Sequence, residues 1–370
     1  MQSTPILQFG TSRFLQAHAD LFVSQAMEDG QKVGPITVVQ SSGDPIRAAR
    51  LAALVGSYPV RVEGLNKGTR VQETLNVTSV TRTLSTSTNW DEVARIFVQE
   101  AKIVLSNTSD TGFAPQKCDS DPAFDQAMSY PAKLTHLLRL RFAKTSAPIQ
   151  IMPMELIVDN GTVLKTLVME LAQKDGPEFQ AYLERDVTWV NSLVDRIVSQ
   201  PLEPAGAVTE PYALWAIENQ PGLVMPCEHP CVQIVPSLAD IDALKLFVLN
   251  LGHTVLADRW LRNKGADDVL VRHIVDDTTE LAQLKLVLQN EVRPAFVAAN
   301  LADAFDAYVV TTIERFANPF LDHRIADIAQ NHSQKVGRRI AAMLDWAVAK
   351  GDQSAKPILS EIIARHKELI

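Results

Sequence analysis

The sequence predicts an α/β domain built on a doubly wound parallel sheet, followed by an all-helical domain. The chain has 370 residues, more than a single hydrophobic core usually supports, and this length favours two domains. Short apolar stretches alternate with helical patterns up to about residue 236, whereas helical patterns follow one another beyond it. We therefore predict the α/β domain over residues 1–236 and the helical domain over residues 237–370.

The composition favours a globular protein and indicates nothing more about its chemistry. Hydrophobic residues make up 46% and charged residues 21% of the chain, as in ordinary folded proteins. A net charge of −8 argues against nucleic acid and anionic membranes as partners. No apolar run reaches the roughly 18 residues of a membrane span, and the first residues lack the pattern of a signal peptide. An odd and sparse set of three cysteines favours a reducing cytoplasm over a disulfide scaffold. We expect a monomer or a homodimer.

The N-terminal elements form a strand–helix–strand unit. Residues 5–9 (PILQF) are a short apolar strand, and Gly10 follows at a turn. Residues 12–30 carry apolar side chains at helical spacing and end at a glycine. Residues 35–40 (PITVVQ) are rich in β-branched side chains and form the second strand. This order is typical of a Rossmann-like nucleotide-binding unit.

The following elements continue the alternation to residue 237. Apolar residues at helical spacing predict helices at 44–54, 89–101, 130–144, 160–174 and 179–198. Apolar or alternating stretches predict strands at 58–65, 71–85, 102–106 and 148–155, and extended structure at 222–237. The strands at 58–65 and 71–85 alternate like an antiparallel pair. In the helical domain, only 307–313 (AYVVTTI) has strand character.

The segment CEHPC, residues 227–231, contains two cysteines and a histidine, which are good zinc ligands. Cys227, His229 and Cys231 are spaced unlike a standard zinc motif, and Pro230 constrains the turn between them. A structural zinc site usually has four protein ligands, and no second ligand cluster accompanies this one. We predict a structural loop and no metal.

Gly10 and Ser12 form the turn where a dinucleotide pyrophosphate would approach the backbone. A tight turn at a helix N-terminus needs a residue without a Cβ and offers free N–H groups. The full G-x-G-x-x-G pattern is absent, because Ser12 replaces its second glycine and Leu15 its third. From these residues alone, a dinucleotide site and an ordinary strand–helix turn are equally supported.

The end of the second strand leaves the choice of dinucleotide open. A carboxylate at this position normally binds the ribose hydroxyls of NAD. Here Gln40 or Ser41 occupies the place, Asp44 lies a little later, and Arg47 offers a cation for the 2′-phosphate of NADP. We expect NAD, with NADP as the alternative.

Three polar side chains interrupt the apolar stretch at residues 242–257. At about 100° per residue, His253 lies about 80° and Asn250 about 140° from Lys245, so all three share one side of the helix. Oxidation of a carbinol needs a base for the hydroxyl proton and donors for the developing oxyanion. Burial lowers the pKa of a lysine and suits it as that base. Alternatively, the lysine reaches solvent, the amide binds backbone, and the histidine is a satisfied core residue.

The segment KLFVLNLGHT resembles the K-x4-N-x2-H signature of the long-chain mannitol dehydrogenase family of polyol and hexonate oxidoreductases. The turn FGTSRFLQAH resembles that family's nucleotide turn. Further similar blocks, in the same order, are VLSNTSDTGF, YPAKLTHLLRLRF, MELIVDNG, WVNSLVDRIV, EPYALWAIE and ERFANPFLDHR. The resemblance therefore covers nearly the whole chain.

The resemblance implies roles for individual residues. Lys245 would be the general base of oxidation and the acid of reduction, Asn250 would help to form the oxyanion hole, and His253 would bind the substrate. The residues implied to bind the dinucleotide are Gly10, Ser12, Arg13, Phe14, Gln40 and Asn107.

Three further residues are implied near the substrate. Asp195 would contact substrate or support the lysine, and its alternative is a carboxylate paired with Arg196. Arg315 and His323 would be substrate ligands from the helical domain, and their alternative is a salt bridge or cap at a helix end.

One departure from the polyol-oxidising members concerns residues 154–156. Those members carry Asp-Asn where this chain has Glu155 and Leu156, and the Glu-Leu pair resembles the tagaturonate and fructuronate reductase branch. A keto sugar acid is therefore the preferred substrate, with Arg315 or Arg13 as a cation for its carboxylate. The alternatives are a polyol such as mannitol or its phosphate, and a nucleotide-sensing protein without turnover.

Overall fold

The computed structural model describes residues 3–44, 48–108, 110–263 and 265–366. Within them the chain forms two compact units. The first consists of the residues up to Val62 together with Glu73–Leu238, and the second consists of Glu63–Gln72 and the residues from Ala239 onward.

The strands, in chain order, are β1 (Ile6–Phe9), β2 (Ile36–Gln40), β3 (Tyr58–Asn66), β4 (Thr69–Val77), β5 (Val80–Ser85), β6 (Ile103–Ser106), β7 (Ile149–Pro153), β8 (Val187–Trp189), β9 (Ser192–Asp195), β10 (Val198–Pro201), β11 (Ala207–Thr209), β12 (Leu214–Glu218) and β13 (Val232–Val235). They form three sheets. The largest has the order β5-β2-β1-β6-β7-β8 and the smaller ones β10-β11-β3-β4 and β13-β12-β9.

The helices of the first unit are α1 (Arg13–Gln16), α2 (Ala19–Glu28), α3 (Ala48–Ala52), α4 (Trp90–Gln99), α5 (Tyr130–Lys144), α6 (Asn160–Leu171) and α7 (Pro177–Arg185). Those of the second unit are α8 (Ala239–Leu244), α9 (Leu251–Arg262), α10 (Val271–Asp276), α11 (Thr278–Val287), α12 (Arg293–Ala298), α13 (Ala302–Phe316), α14 (Ile325–Ala329), α15 (His332–Lys335), α16 (Ala342–Ala349) and α17 (Pro357–His366). Segments of π-helix lie at Lys245–Asn250, Leu288–Val292 and Val336–Ala341.

The six-stranded sheet is parallel throughout and confirms the Rossmann-like prediction. Its central strands are buried along their whole length, which is why they are apolar rather than alternating. From β1 the strands are added on one side as β2 and β5, and from β6 they are added on the other side as β7 and β8. The strand order therefore reverses between β1 and β6. In such sheets ligands bind where the strand order reverses, outside the carboxyl ends of the strands.

The second unit packs its helices around one apolar core. Phe247, Leu284, Phe296 and Phe305 are among its buried residues. No helix in the described part of the chain is long and apolar enough to cross a membrane.

Several elements differ from the sequence prediction. The helix predicted at 12–30 is divided at Ala17 and His18 into α1 and α2, because His18 leaves helical geometry. The strand predicted at 71–85 is two strands, and the second of them, β5, pairs in parallel with β2. Local alternation does not reveal this change of partner.

Two predicted conformations were wrong, the first over part of its length and the second over all of it. The helix predicted at 179–198 ends with α7, and the β-branched residues after it form β8 and β9. The stretch 307–313 lies within α13, where Phe305, Val309 and Phe316 bury one face at helical spacing.

Candidate functional site

Gly10 lies directly after β1, at the point where the strand order reverses. Its φ is +126°, and a Cβ built on it would lie 2.6 Å from the carbonyl oxygen of Asn107, which follows β6. Its N–H donates to the carbonyl of Val39 at 3.0 Å. Only glycine fits this close approach of two strand ends.

Ser12 and Asn107 are held together beside this glycine. The Ser12 hydroxyl caps α1 by accepting from the N–H of Leu15 at 3.2 Å, and it donates to Asn107 Oδ1 at 3.2 Å. The other end of the amide donates to the carbonyl of Met154 at 2.8 Å. Both side chains are therefore fixed before any ligand binds.

A cavity of about 680 Å³ opens over this edge of the sheet. Its lining includes five of the six residues predicted to bind a dinucleotide, namely Gly10, Ser12, Arg13, Gln40 and Asn107. Among the lining residues that the structure describes, none is a carboxylate, whereas Arg13, Arg50 and Lys133 are cations. Such a lining suits a polyanion.

Lys133 is a cavity residue that sequence reasoning missed. Its Nζ donates to the carbonyl of Ser41 at 2.9 Å, at the end of β2, and burial lowers its pKa to about 8. Lys133 lies in the first turn of α5, in the segment YPAK. Nothing in the sequence links a lysine at this position to the end of β2. Gln40 donates to the backbone of Asp44 at 2.7 Å. Arg47, the predicted partner of a 2′-phosphate, lies outside the described residues.

Arg13 is anchored by the β10–β11 turn. It donates to the carbonyl of Gly206 at 3.1 Å and pairs with Glu203 at 3.0 Å, and Glu203 also pairs with Arg50. The structure does not place Phe14 in the cavity lining. Phe14 stacks on His18 with ring centroids 4.8 Å apart, because the helical turn directs it away from Arg13.

Glu155, from the block that departs from the polyol-oxidising members, is a buried acceptor behind the cavity. It accepts from the hydroxyl of Ser106 at 3.0 Å and from the N–H of Thr108 at 2.9 Å, and burial raises its pKa. Leu156 is 71% exposed. Glu155 thus organises the loop that carries Asn107.

Asp195 and the CEHPC loop also lie in the first unit. Asp195 ends β9 and is buried, while the guanidinium of Arg196 donates to the carbonyls of Ala17 and Glu210. The His229 ring stacks on Phe22 at 4.4 Å, and its Nδ1 accepts from the N–H of Cys231 at 3.1 Å. The loop therefore uses its histidine for packing.

In the second unit, Lys245 and Asn250 mark the two ends of a π-helical segment. The N–H of Leu251 reaches the carbonyl of Leu246, five residues earlier. A π-helix repeats its hydrogen bond between residues i and i+5, so residues five apart come into line, whereas an α-helix separates them by about 140°. The K-x4-N spacing is thus matched to the π turn. Such turns are frequent at functional sites.

His253 lies one turn further along, in α9, and is buried. Its ring packs against Phe316 at 4.2 Å and meets the edge of His323 at 5.2 Å. Burial lowers the pKa of His253 well below its usual value, and the neighbouring charges of His323 and Arg315 act in the same direction. His253 is therefore neutral near pH 7.

Two more cations face His253 and were missed in the sequence. Lys335 and Arg339 both lower the pKa of His253. Lys335 Nζ donates to the carbonyl of Ile328 at 2.7 Å, and Arg339 donates to the backbone carbonyl of Asn250 at 3.3 Å. Their i, i+4 spacing in HSQKVGRR places them on one helical face and was the available signal.

The structure therefore brings together His253, Arg315 and His323, three of the residues predicted near the substrate, and adds Lys335 and Arg339. The resulting cluster, the five basic side chains just named, is called the His253 cluster below. It is partly buried, and burial also lowers the pKa values of Lys335 and Arg339. An anion would relieve the desolvation of these cations.

Two family models match the chain, in the order of the sequence blocks described above. The model described as the mannitol dehydrogenase Rossmann domain matches residues 4–224, and the mannitol dehydrogenase C-terminal domain matches residues 238–365. The altronate oxidoreductase of Halalkalibacterium halodurans is 28% identical over 394 residues, covering 97% of this chain and 74% of that protein. The altronate oxidoreductase of Escherichia coli O139:H28 is 29% identical over 384 residues, covering 95% and 77%.

Two solved structures resemble the fold over 99% of this chain. D-sorbitol dehydrogenase in its substrate-free form superposes with a TM-score of 0.81 at 18% identity, covering 80% of that chain. Pseudomonas fluorescens mannitol 2-dehydrogenase, solved with NAD and D-mannitol, superposes with a TM-score of 0.74 at 17% identity, covering 79% of that chain. These similarities establish a shared fold.

Proposed function

The chain belongs to the mannitol dehydrogenase family of oxidoreductases, and on that premise we propose that it interconverts a keto sugar acid and the corresponding hydroxy acid. The observation that carries the proposal is the His253 cluster, which gathers cations next to the helix bearing Lys245 and Asn250. A tagaturonate or fructuronate type of substrate supplies both the carbonyl and the carboxylate that such a site would bind.

The cavity of the first unit would hold the dinucleotide. Gly10 admits a close backbone approach, and Arg13, Arg50 and Lys133 supply positive charge for phosphates. When bound, the nicotinamide gives or takes the hydride. NAD is the proposed cofactor, supported by its presence in the Pseudomonas fluorescens relative of the same fold. NADP remains the alternative, because no carboxylate among the described lining residues would reject a 2′-phosphate.

Proton transfer is assigned to Lys245 rather than to a metal. In the reductive direction its ammonium would protonate the carbonyl oxygen, and in oxidation its amine would take the hydroxyl proton. The Asn250 amide would donate to the same oxygen as charge develops. Neutral His253 has one N–H donor and one acceptor nitrogen, which suits it to orient a substrate hydroxyl.

The substrate carboxylate is assigned to Arg315, Lys335 and Arg339. A guanidinium binds a carboxylate through paired hydrogen bonds, and such charged bonds are the stronger ones. A polyol would leave these cations without an anion. The names of the altronate oxidoreductase relatives support the same class of substrate.

A ketose phosphate is the second candidate. The sequence argued against it because no basic cluster was evident, and the His253 cluster removes that argument. A phosphate dianion would pair with the same cations. A sensor without turnover is less well supported, because sensing needs no proton-transfer lysine on a π turn.

The test is the oxidation of NADH and NADPH with tagaturonate, fructuronate, fructose and fructose 6-phosphate. We expect the best kcat/KM with a ketouronate and a loss of at least about 100-fold in kcat for Lys245→Ala. Lys285→Ala, on an exposed position of the same unit, is the matched control and should behave like wild type. Faster turnover of fructose 6-phosphate would transfer the assignment to the second candidate. Dinucleotide binding without any turnover would favour the sensor.

A further inference from the structure

Three residues distant in sequence meet at one point in the second unit. Asp258 lies on α9, His332 begins α15, and His366 lies at the end of α17. One ligand atom of each lies within 4.8 Å of the others. We propose that these residues, called the Asp258 site, bind a divalent transition-metal ion such as Zn²⁺ that fastens α17 to α9.

The distances in the Asp258 site are close to those of a tetrahedral ion. Asp258 Oδ1 lies 3.7 Å from His332 Nε2 and 3.5 Å from His366 Nε2. Ligand atoms at about 2.0 to 2.2 Å from a tetrahedral ion lie about 3.4 Å apart. Small side-chain movements therefore suffice to bring all three onto one ion. Two imidazoles and a carboxylate, with water in the fourth position, are a common zinc ligand set.

His332 gives an independent reason to expect a ligand. The side chain is buried, with 7% of its surface exposed, and within the described part of the chain neither ring nitrogen has a hydrogen-bond partner. A buried imidazole without a hydrogen bond is costly. A metal ion bound to Nε2 would give the ring the polar partner that it lacks, and Asp258 Oδ1, 3.7 Å away, could bind the same ion.

The neighbouring groups orient two of the three ligands. Asp258 Oδ2 accepts from Arg365 at 2.7 Å and lies 3.3 Å from Arg262, so Oδ1 is the oxygen turned towards the imidazoles. His366 Nδ1 lies 3.1 Å from the Ser333 hydroxyl. A donor proton on that Nδ1 leaves Nε2 as the free ligand atom. Such outer contacts are typical of metal sites and fix the histidine tautomer.

The positive charge of Arg262 and Arg365 does not exclude a metal ion from the Asp258 site. Glu361 pairs with Arg365 at 2.5 Å and lies 3.9 Å from Arg262. Two carboxylates therefore balance two guanidinium groups around neutral imidazoles. The competing occupant is a proton, since a protonated imidazole would pair with Oδ1 at these distances.

In this proposal the Asp258 site is separate from the proposed catalytic residues. None of its three ligands belongs to the His253 cluster. The proposal therefore does not depend on the proposed function. Its failure would leave the sugar-acid assignment unchanged.

The experiment uses untagged, metal-stripped full-length protein, titrated with Zn²⁺ and with Co²⁺. We expect one equivalent to bind, a tetrahedral Co²⁺ absorption band, and a rise in Tm of about 5 °C at saturating metal. His332→Gln and His366→Gln should each weaken binding at least about 10-fold, because loss of even an outer contact of a metal ligand costs about that much affinity. His273→Gln, an exposed histidine of the same unit, is the control and should leave binding unchanged.

Two results would overturn the proposal. In the first, metal neither binds stoichiometrically nor changes Tm, which would mean that the site holds a proton. In the second, His332→Gln and His273→Gln bind metal as the wild type does, which would place the ion elsewhere. Comparing wild type with the variants in metal-free buffer shows separately whether either substitution impairs folding.

Discussion

The dinucleotide cavity and the His253 cluster differ in what builds them. The cavity is formed at the ends of parallel strands, where the backbone of Gly10 and the carbonyl of Asn107 meet. The His253 cluster is formed by side chains from α9, α13, the segment between α13 and α14, α15 and the π-helical segment Val336–Ala341. A site built by backbone tolerates changes of side chain but not of chain geometry. A site built by side chains tolerates small changes of backbone geometry but not substitution of the side chains that form it.

Gly10→Ala is the strongest test of the backbone-built cavity. The added Cβ would lie 2.6 Å from the Asn107 carbonyl at a φ of +126°. Strain and overpacking together should cost about 4 kcal/mol of unfolding free energy and abolish NADH binding. Urea unfolding and quenching of protein fluorescence by NADH measure these two effects.

Gly30→Ala is the control for this substitution. Gly30 also has a positive φ, of +84°, but a Cβ there meets nothing within 4 Å. It should cost only about 1 kcal/mol and leave NADH binding intact. Equal effects of the two substitutions would show that the close approach at Gly10 is unimportant.

Asp20→Asn tests a second feature of the first unit, a carboxyl group buried in its core. Burial raises the pKa of Asp20 from 3.8 to about 7, although Tyr58 donates to it at 2.7 Å. Because the folded state binds the proton on Asp20 more tightly, the contribution of Asp20 to stability is greatest below pH 4 and falls as the pH rises towards 7. That difference corresponds to about 4 kcal/mol.

We expect Asp20→Asn to stabilise the protein by about 3 kcal/mol at pH 8 and to have little effect at pH 4, since asparagine stays neutral. The added amide hydrogens can donate to Gln8, whose buried Oε1 accepts no hydrogen bond from the residues that the structure describes. Urea unfolding of the wild type and of Asp20→Asn at pH 4 and at pH 8 measures the change in unfolding free energy. A pH-independent change would contradict the raised pKa of Asp20.

Arg339→Met tests the side-chain-built cluster. Losing one charged hydrogen bond to a substrate carboxylate should raise KM for a ketouronate about 50-fold, with a smaller change in kcat. Methionine keeps much of the buried volume of the arginine stem. The control is Arg338→Met, because Arg338 is exposed on the same segment.

The substrate dependence separates recognition from folding. If Arg339 binds the carboxylate, its substitution should leave KM for fructose nearly unchanged. A parallel loss with fructose would show that Arg339 instead supports the α9 backbone at Asn250.

The contrast between the two sites also explains what the sequence could reveal. The parallel sheet, the glycine turn and the K-x4-N-x2-H helix depend on local patterns of a few residues, and all were evident. Lys133, Lys335 and Arg339 became evident only in the fold, because even the i, i+4 spacing of Lys335 and Arg339 does not indicate which site a cation faces. The π turn was missed for another reason, since the apolar residues around Lys245 fit a continuous α-helix equally well.

Ser12→Ala is expected to have the smallest effect, and it tests how far backbone alone defines the cavity. The hydroxyl caps α1 and bonds Asn107 at 3.2 Å, so its loss should cost about 1 kcal/mol of unfolding free energy. If backbone geometry dominates NADH binding, the affinity for NADH should fall by no more than about 5-fold, which corresponds to about 1 kcal/mol of binding free energy. Fluorescence titration beside the Gly10→Ala data measures the ratio. A loss as large as that of Gly10→Ala would mean that the hydroxyl itself binds the dinucleotide, and the cavity would then depend on side chains as the His253 cluster does.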